Sequence, residues 1–305
     1  MVEVSIIIPT YNRWWILKKS LEALFNQSYP KDKYEIIVVD DGSTDDTKTM
    51  IEPLSRSCKL KYLRNEKRMG IPRTRNRGIR KARGEYIIFT DSDVVVIPDF
   101  IAQHMSYHKK YQNVIVNGEL IWVPSFKQIR KKRKSIFDLS FSPFDTANVS
   151  VARKHLLEVG GFDEGLLAYG WQDLELGYRL RKAGVKCKRN RHALGYHYFE
   201  KKSLSDLPSL CEKEKMRGTS GALYYQKHPH LSVRLATQCN PLFLLVFIGK
   251  WIEKNKRGRK ILSFAERHRI NWLFSLLVKL IASHYYLMGW REGMRGKLTK
   301  NLTKQ

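Results

Sequence analysis

The stretch Glu35–Asp46, "EIIVVDDGSTDD", sets four β-branched residues between a glutamate and a run of turn-forming residues. An unbroken apolar run of that kind reads as a strand buried on both faces, because a strand with one wet face would alternate. The polar turn behind it opens a helix from Asp46 to about Leu54, with Thr44 or Asp45 as its cap. Upstream, "VSIII" at residues 4–8 is a second buried run, ended by Pro9. Between them, Ile16, Leu17, Leu21, Leu24 and Phe25 are spaced as a helix over Trp14–Gln27. Downstream, Lys59–Leu63 reads as a strand, residues 72–83 as a basic helix, and Glu85–Thr90 as a fourth strand. This alternation predicts a mostly parallel central sheet with helices on both faces.

Such sheets bind ligands beyond the carboxyl ends of their strands. Polar clusters recur there: Pro9-Thr10-Tyr11-Asn12, Asp40-Asp41, and Asp91-Ser92-Asp93. Each alone is explained by turn chemistry; three at corresponding places predict one site. In "FTDSDVVVIPDF", Phe89–Phe100, the paired carboxylates suit a hard cation, Mg²⁺ or Mn²⁺, of the kind a diphosphate substrate needs.

The 305 residues carry 56 Lys and Arg against 29 acids, a net +27, and are 43% hydrophobic. That composition folds, and its field attracts polyanions. Cys58, Cys187, Cys211 and Cys239 form no CxxC pair, so a thiolate metal site is not expected and a reducing compartment is. Without a signal-peptide pattern at residue 1 the expectation is a cytoplasmic protein, with Asn148-Val-Ser and Asn301-Leu-Thr as chance sequons.

Four ordered segments resemble an inverting family 2 glycosyltransferase with the GT-A fold. They are "VSIIIPTYNR", "IIVVDDGSTDDT", "RTRNRGIRKARGEYIIFTDSD" and "TANVSVARKHLLEVGGFDEGLLAYGWQDLELGYRLRKAG". The resemblance implies roles. Pro9, Thr10, Tyr11, Asn12 and Asp41 would line the nucleoside pocket of a nucleotide-sugar donor, with Arg75 and Ser92 beside it. Asp93 would hold the metal, Asp91 the ribose or a metal-bound water, and His197 a third ligand position, with His192 as the alternative. Asp173, in the first turn of a helix, would be the catalytic base; Gln172 stands before it where a glutamate is commoner. Gly161, Phe162, Trp171 and Gln172 would meet the acceptor, a glycan or lipid-linked hydroxyl. Base catalysis by a carboxylate contributes about 10²–10⁴-fold.

The expected domains are a GT-A catalytic domain over residues 1–205, donor half 1–100 and acceptor half 101–205, and a basic helical region over 206–305. The run "KQIRKKRK", residues 127–134, is expected to be an exposed loop. Pro241–Ile252 and Asn271–Trp290 are apolar, the second long enough to span a bilayer. Lys279 at its middle would cost about 2.5–3.5 kcal/mol there. The pattern fits an amphipathic helix, packed in protein or lying on an anionic membrane beside the basic run Lys254–Lys260. The rival reading is a nucleic-acid- or polyanion-binding protein without transferase activity. It has the charge, but no binding motif or aromatic-studded basic stripe, and its acidic strand ends would repel phosphate. A nucleotidyltransferase would leave the GGFDE and WQD segments unexplained.

Overall fold

The computed structural model describes residues 1–57, 59–126, 143–166, 169–200, 203–238 and 246–296. The basic run at 127–134 and residues 241–245 of the first apolar stretch lie outside them.

Two compact units emerge: Met1–Glu164 with Asp173–Glu200, and Gly165–Gln172 with Lys201–Gln305. The first holds an eight-stranded sheet ordered β3-β2-β1-β4-β7-β6-β8-β5. Strands β1 (Val4–Thr10), β2 (Tyr34–Asp40), β3 (Leu60–Arg64) and β4 (Tyr86–Thr90) run parallel. Helices α1 (Trp14–Phe25), α2 (Thr47–Ser57) and α3 (Ile71–Lys81) connect them. β2 is buried at every residue, as its unbroken apolar run requires. Pro9 does not end β1, which continues to Thr10. The pairing of β1 with β4 stops at Ile7, so beyond it Pro9 sits beside one strand, β2.

After β4 come β5 (Val94–Val96), α4 (Phe100–Lys110), β6 (Val114–Val123), β7 (Asn148–Ala152), α5 (Arg153–Glu158), α6 (Gln172–Lys182) and β8 (Lys186–Tyr198). β7 is antiparallel to β4 and β6; β8 is parallel to β6 and antiparallel to β5. Sequence reading found neither α4 nor β6. In α4 the buried face contains His104 and His108 among apolar residues, which blurs its period. Both histidines bond Ser150 Oγ of β7, at 2.9 and 2.8 Å, and His104 also bonds Asn148 Oδ1 at 2.9 Å. Burial pushes His104 down to about 4 and His108 down to about 3, so both are neutral in the folded chain. Asn148 is itself buried in β7, so it is no exposed sequon.

The second unit is helical: α7 (Leu207–Lys227), α8 (Leu231–Gln238), α9 (Val246–Lys254), α10 (Lys256–Arg267) and α11 (Asn271–Met294). Its core gathers Cys211, Ile252, Leu262, Ala265, Leu277, Leu280 and Ile281. By length and composition α11 is able to cross a membrane, and about a third of its apolar window is buried. Cys187 and Cys211 are free thiols.

Candidate active site

Strand ends β1, β2 and β4 bring the predicted polar clusters to one edge of the sheet, but the groups there are not alike. Asp41 is buried and held by four hydrogen bonds. It accepts from Asn65 Nδ2 (2.9 Å), Thr74 Oγ1 (2.9 Å), Met69 N (2.8 Å) and Gly70 N (3.0 Å). Oδ1 takes three of these donors and Oδ2 the fourth, so Asp41 fastens the loop between β3 and α3. Asn12, at φ 51°, likewise joins β1 to the β2 turn: its Oδ1 accepts from Thr44 N at 2.7 Å. Tyr11 lies under the Arg68 guanidinium, 4.6 Å from the ring centre. The hydroxyls of Thr10 and Thr90, closing β1 and β4, are buried without a partner among the described residues. Pro9 is partly buried in β1.

Beyond β4 the acids face cations and one another. Asp91 accepts from Arg75 Nη2 at 3.0 Å. Asp93 accepts from Arg13 Nη1 at 2.5 Å and lies 3.2 Å from His197 Nε2. The antiparallel pairing of β5 with β8 sets Val94 opposite His197, and Tyr198 N donates to Asp93 O at 2.9 Å. Thus His197 is fixed by strand register, and Trp122 stacks on it with centroids 4.1 Å apart. Ser92 serves through its backbone: its carbonyl accepts from Ser20 Oγ of α1 at 2.9 Å.

Ligand atoms of Asp91, Asp93 and His197 all lie within 4.8 Å of one another. His197 Nδ1 is buried with no partner among the described residues. Two carboxylate oxygens and an imidazole nitrogen form a donor set that fits Mn²⁺ or Mg²⁺. His192 is exposed and stands outside the cluster. Burial raises Asp91, opposed by Arg75 and assisted by Asp93. Burial also acts to raise Asp93, but the His197 bond and the His197 and Arg13 charges prevail and hold it low. Burial acts to lower His197, and the carboxylates, Asp93 foremost, carry it upward.

Asp173 stands in the first turn of α6, where its Oδ2 accepts from Thr146 Oγ1 at 3.0 Å. Its charge also raises Asp91 and Asp145, so the base candidate shares the field of the acidic pair. Burial, then Asp173, pushes Asp145 up to about 6. Sequence reading missed Asp145, Thr146 and Arg13. Arg13 closes one of the four family-like segments and Thr146 opens another, so their positions carry a signal but their roles do not, whereas Asp145 stands just before the last segment in a plain turn.

The residues expected at the acceptor are used structurally. Phe162 is buried against Phe89 and Phe144, with Arg75 over its ring. Its N–H and carbonyl both bond the Asn76 side chain, which also crowds Gly161. Trp171 has φ 70°, an unusual backbone for a bulky residue. Its indole donates to Arg217 O at 2.9 Å and lies beside Tyr224 and Tyr286. Gln172 is buried and donates to Leu166 O at 3.2 Å.

Residues 5–162 match the model of glycosyl transferase family 2. The chain belongs to that family. Residues 130–202 match a second description, the N-terminal domain of galactosyltransferase. Among family 2 relatives, an uncharacterized glycosyltransferase of Bacillus subtilis, YfnE, is 30% identical over 70% of this chain and 70% of its own length. The GalNAc(5)-diNAcBac-PP-undecaprenol beta-1,3-glucosyltransferase of Campylobacter jejuni is 27% identical over 84% of this chain and 90% of its own. Among solved structures, the mannosyltransferase PcManGT of Pyrobaculum calidifontis, in complex with GDP-Man and Mn²⁺, superposes with a TM-score of 0.66 at 16% identity. It covers 97% of this chain and 88% of its own. The fold of this family 2 enzyme is therefore GT-A, with a mixed sheet and a helical C-terminal region.

Proposed function

We propose that the protein is an inverting, divalent-metal-dependent glycosyltransferase. It moves a sugar from a nucleoside-diphosphate sugar to a hydroxyl of a glycan or lipid-linked acceptor, in cell-surface polysaccharide or glycolipid synthesis. A UDP-sugar is the first donor to test. The observation that carries the reading is the convergence of Asp91, Asp93 and His197 at the sheet's carboxyl edge, in the same field as Asp173. Support for the acceptor class comes from the Campylobacter jejuni relative, whose named substrate is an undecaprenol diphosphate. Such an acceptor would favour work at the cytoplasmic face of the cell membrane.

Asp91, Asp93 and His197 would hold the cation, which supplies positive charge to the donor diphosphate. Arg13 and Arg75 add fixed charge beside Asp93 and Asp91. Thr10 and Thr90 offer unused hydroxyls at the strand ends. Asp173 takes the proton of the acceptor hydroxyl as that oxygen bonds to the anomeric carbon. The carbon–oxygen bond to the diphosphate breaks in the same displacement, nucleoside diphosphate departs with its electron pair, and the configuration inverts. Thr146 keeps the Asp173 carboxylate oriented.

The test is nucleoside diphosphate release from a panel of nucleotide sugars, with Mn²⁺, with Mg²⁺ and with chelator, and product anomers read by NMR. Turnover that is undiminished in excess chelator would sink the metal role, and a retained anomer would sink the single displacement.

A further inference from the structure

The helices α9, α10 and α11 each carry two apolar stripes, and the unit's core uses one of them. In α9, Gly249 and Ile252 are buried, while Phe247, Ile248 and Trp251 form a second stripe facing solvent. Phe264 of α10 and Trp272 and Leu276 of α11 are also exposed. Phe247 is 78% and Trp272 70% exposed. Half of the large apolar side chains exposed among the described residues sit on these three helices. A surface of that kind marks a docking site rather than scattered apolar residues.

The charge around it has one sign. Lys250, Lys254, Lys256, Arg257, Arg259 and Lys260 are all exposed, and none has a carboxylate within ion-pair distance among the described residues. The acids on α9 and α10 are engaged elsewhere. Glu253 accepts from Tyr285 OH, and Glu266 accepts from Leu204 N at 2.6 Å. Aromatic side chains amid unneutralised lysine and arginine match an anionic bilayer surface, which takes the rings at headgroup depth and the cations on its phosphates.

Crossing the bilayer is not what α11 is built for. Its C-terminal half is locked to α7: a Cβ at Gly289 would fall 1.8 Å from Lys215 O, and one at Gly218 1.9 Å from Tyr286 O. α7 carries Glu212, Lys213, Glu214, Lys215 and Arg217 in one turn and a half, so this pair belongs in water. The N-terminal turns of α11, with Trp272 and Leu276, are left for the interface.

We propose that Phe247, Ile248, Trp251, Phe264, Trp272 and Leu276, ringed by the α9–α10 cations, insert into an anionic phospholipid surface. The inference rests on the membrane location proposed above and gives it a specific face. None of these residues belongs to the catalytic machinery.

The experiment is sedimentation of the full chain with phosphatidylglycerol-containing and pure phosphatidylcholine vesicles. The full chain binds the anionic vesicles and is released by about 0.5 M NaCl, where the Debye length is near 4 Å. Phe247→Glu with Trp251→Glu lowers the bound fraction about tenfold, as does Lys254→Glu with Lys256→Glu. Both variants keep the parent thermal midpoint and release of nucleoside diphosphate in solution. Binding that survives both pairs overturns this face and leaves the membrane location standing. No binding to anionic vesicles overturns both, while turnover in solution still tests the chemistry separately. A dimer in light scattering that the Phe247/Trp251 pair dissociates would make the occupant a second copy of the chain, and overturn the lipid.

Discussion

Asp41 follows β2 and Asp93 follows β4, strands that flank β1, and the two carboxylates live differently. Asp41 is held by four neutral donors, three on Oδ1 and one on Oδ2, and meets no cation among the described residues. Asp93 meets Arg13, which is half exposed, and His197, whose other nitrogen is unused. The first arrangement spends a carboxylate on the fold. The second leaves it able to exchange partners, because a solvent-exposed guanidinium is displaced at small cost. Sequence motifs group the two aspartates; hydrogen-bond accounting separates them.

The comparison predicts opposite responses to substitution. Asp93→Ala is expected to lower turnover by about 10³-fold or more, with a thermal midpoint near that of the parent, since Arg13, its ion-pair partner, is half exposed and water can take over its charge. Steady-state rates and a melting curve on one preparation check both halves. Asp173→Asn is expected to lower kcat by about 10²–10⁴-fold while donor affinity, measured by calorimetry, stays unchanged. A collapse of donor affinity would move Asp173 to the donor side.

Asp41→Ala should reverse the Asp93 pattern. It strands two backbone N–H groups and two side-chain donors, for a loss of about 3 kcal/mol in denaturant unfolding. A variant as stable as the parent would show that water replaces the carboxylate, and the contrast would fail.

Asp145 gives the smallest and most pH-dependent effect. Its folded pKa is raised from 3.8 to about 6. The folded state therefore binds more protons than the unfolded state between those values, and the group destabilises the fold increasingly as pH rises through that window. Asp145→Asn should stabilise the chain by about 2 kcal/mol at pH 8, an advantage that fades towards pH 4. Melting curves in chelator across that range check it; an equal gain at both ends would assign the effect to packing.

β1, β2 and β4 were legible because each holds an apolar run rich in isoleucine and valine, and the acidic pair because it ends one of them; β3, Leu60–Arg64, carries no such run and was legible only from its place between two helices. Pro9 misled: proline reads as a stop, yet β1 continues because the neighbouring ladder has already ended. The histidines of α4 interrupt an apolar stripe, and only their bonds to Ser150 and Asn148 show them as core. Trp171 is an acceptor contact by resemblance, and its φ of 70° and bond to Arg217 O also make it an anchor of the backbone. Contacts of this kind depend on distant parts of the chain, and no local period encodes them.

The register that sets His197 against Val94 has a kinetic side. The two residues are about a hundred positions apart, so their pairing closes a long loop and carries a high contact order. Strands β1 to β4 are joined by much shorter connections. In refolding, the parallel sheet should therefore form before the imidazole reaches the acidic pair. Far-ultraviolet ellipticity would recover first and the binding of added Mn²⁺, tested as the proposed cation, would lag behind it, so that a nascent chain acquires its sheet before its site is complete.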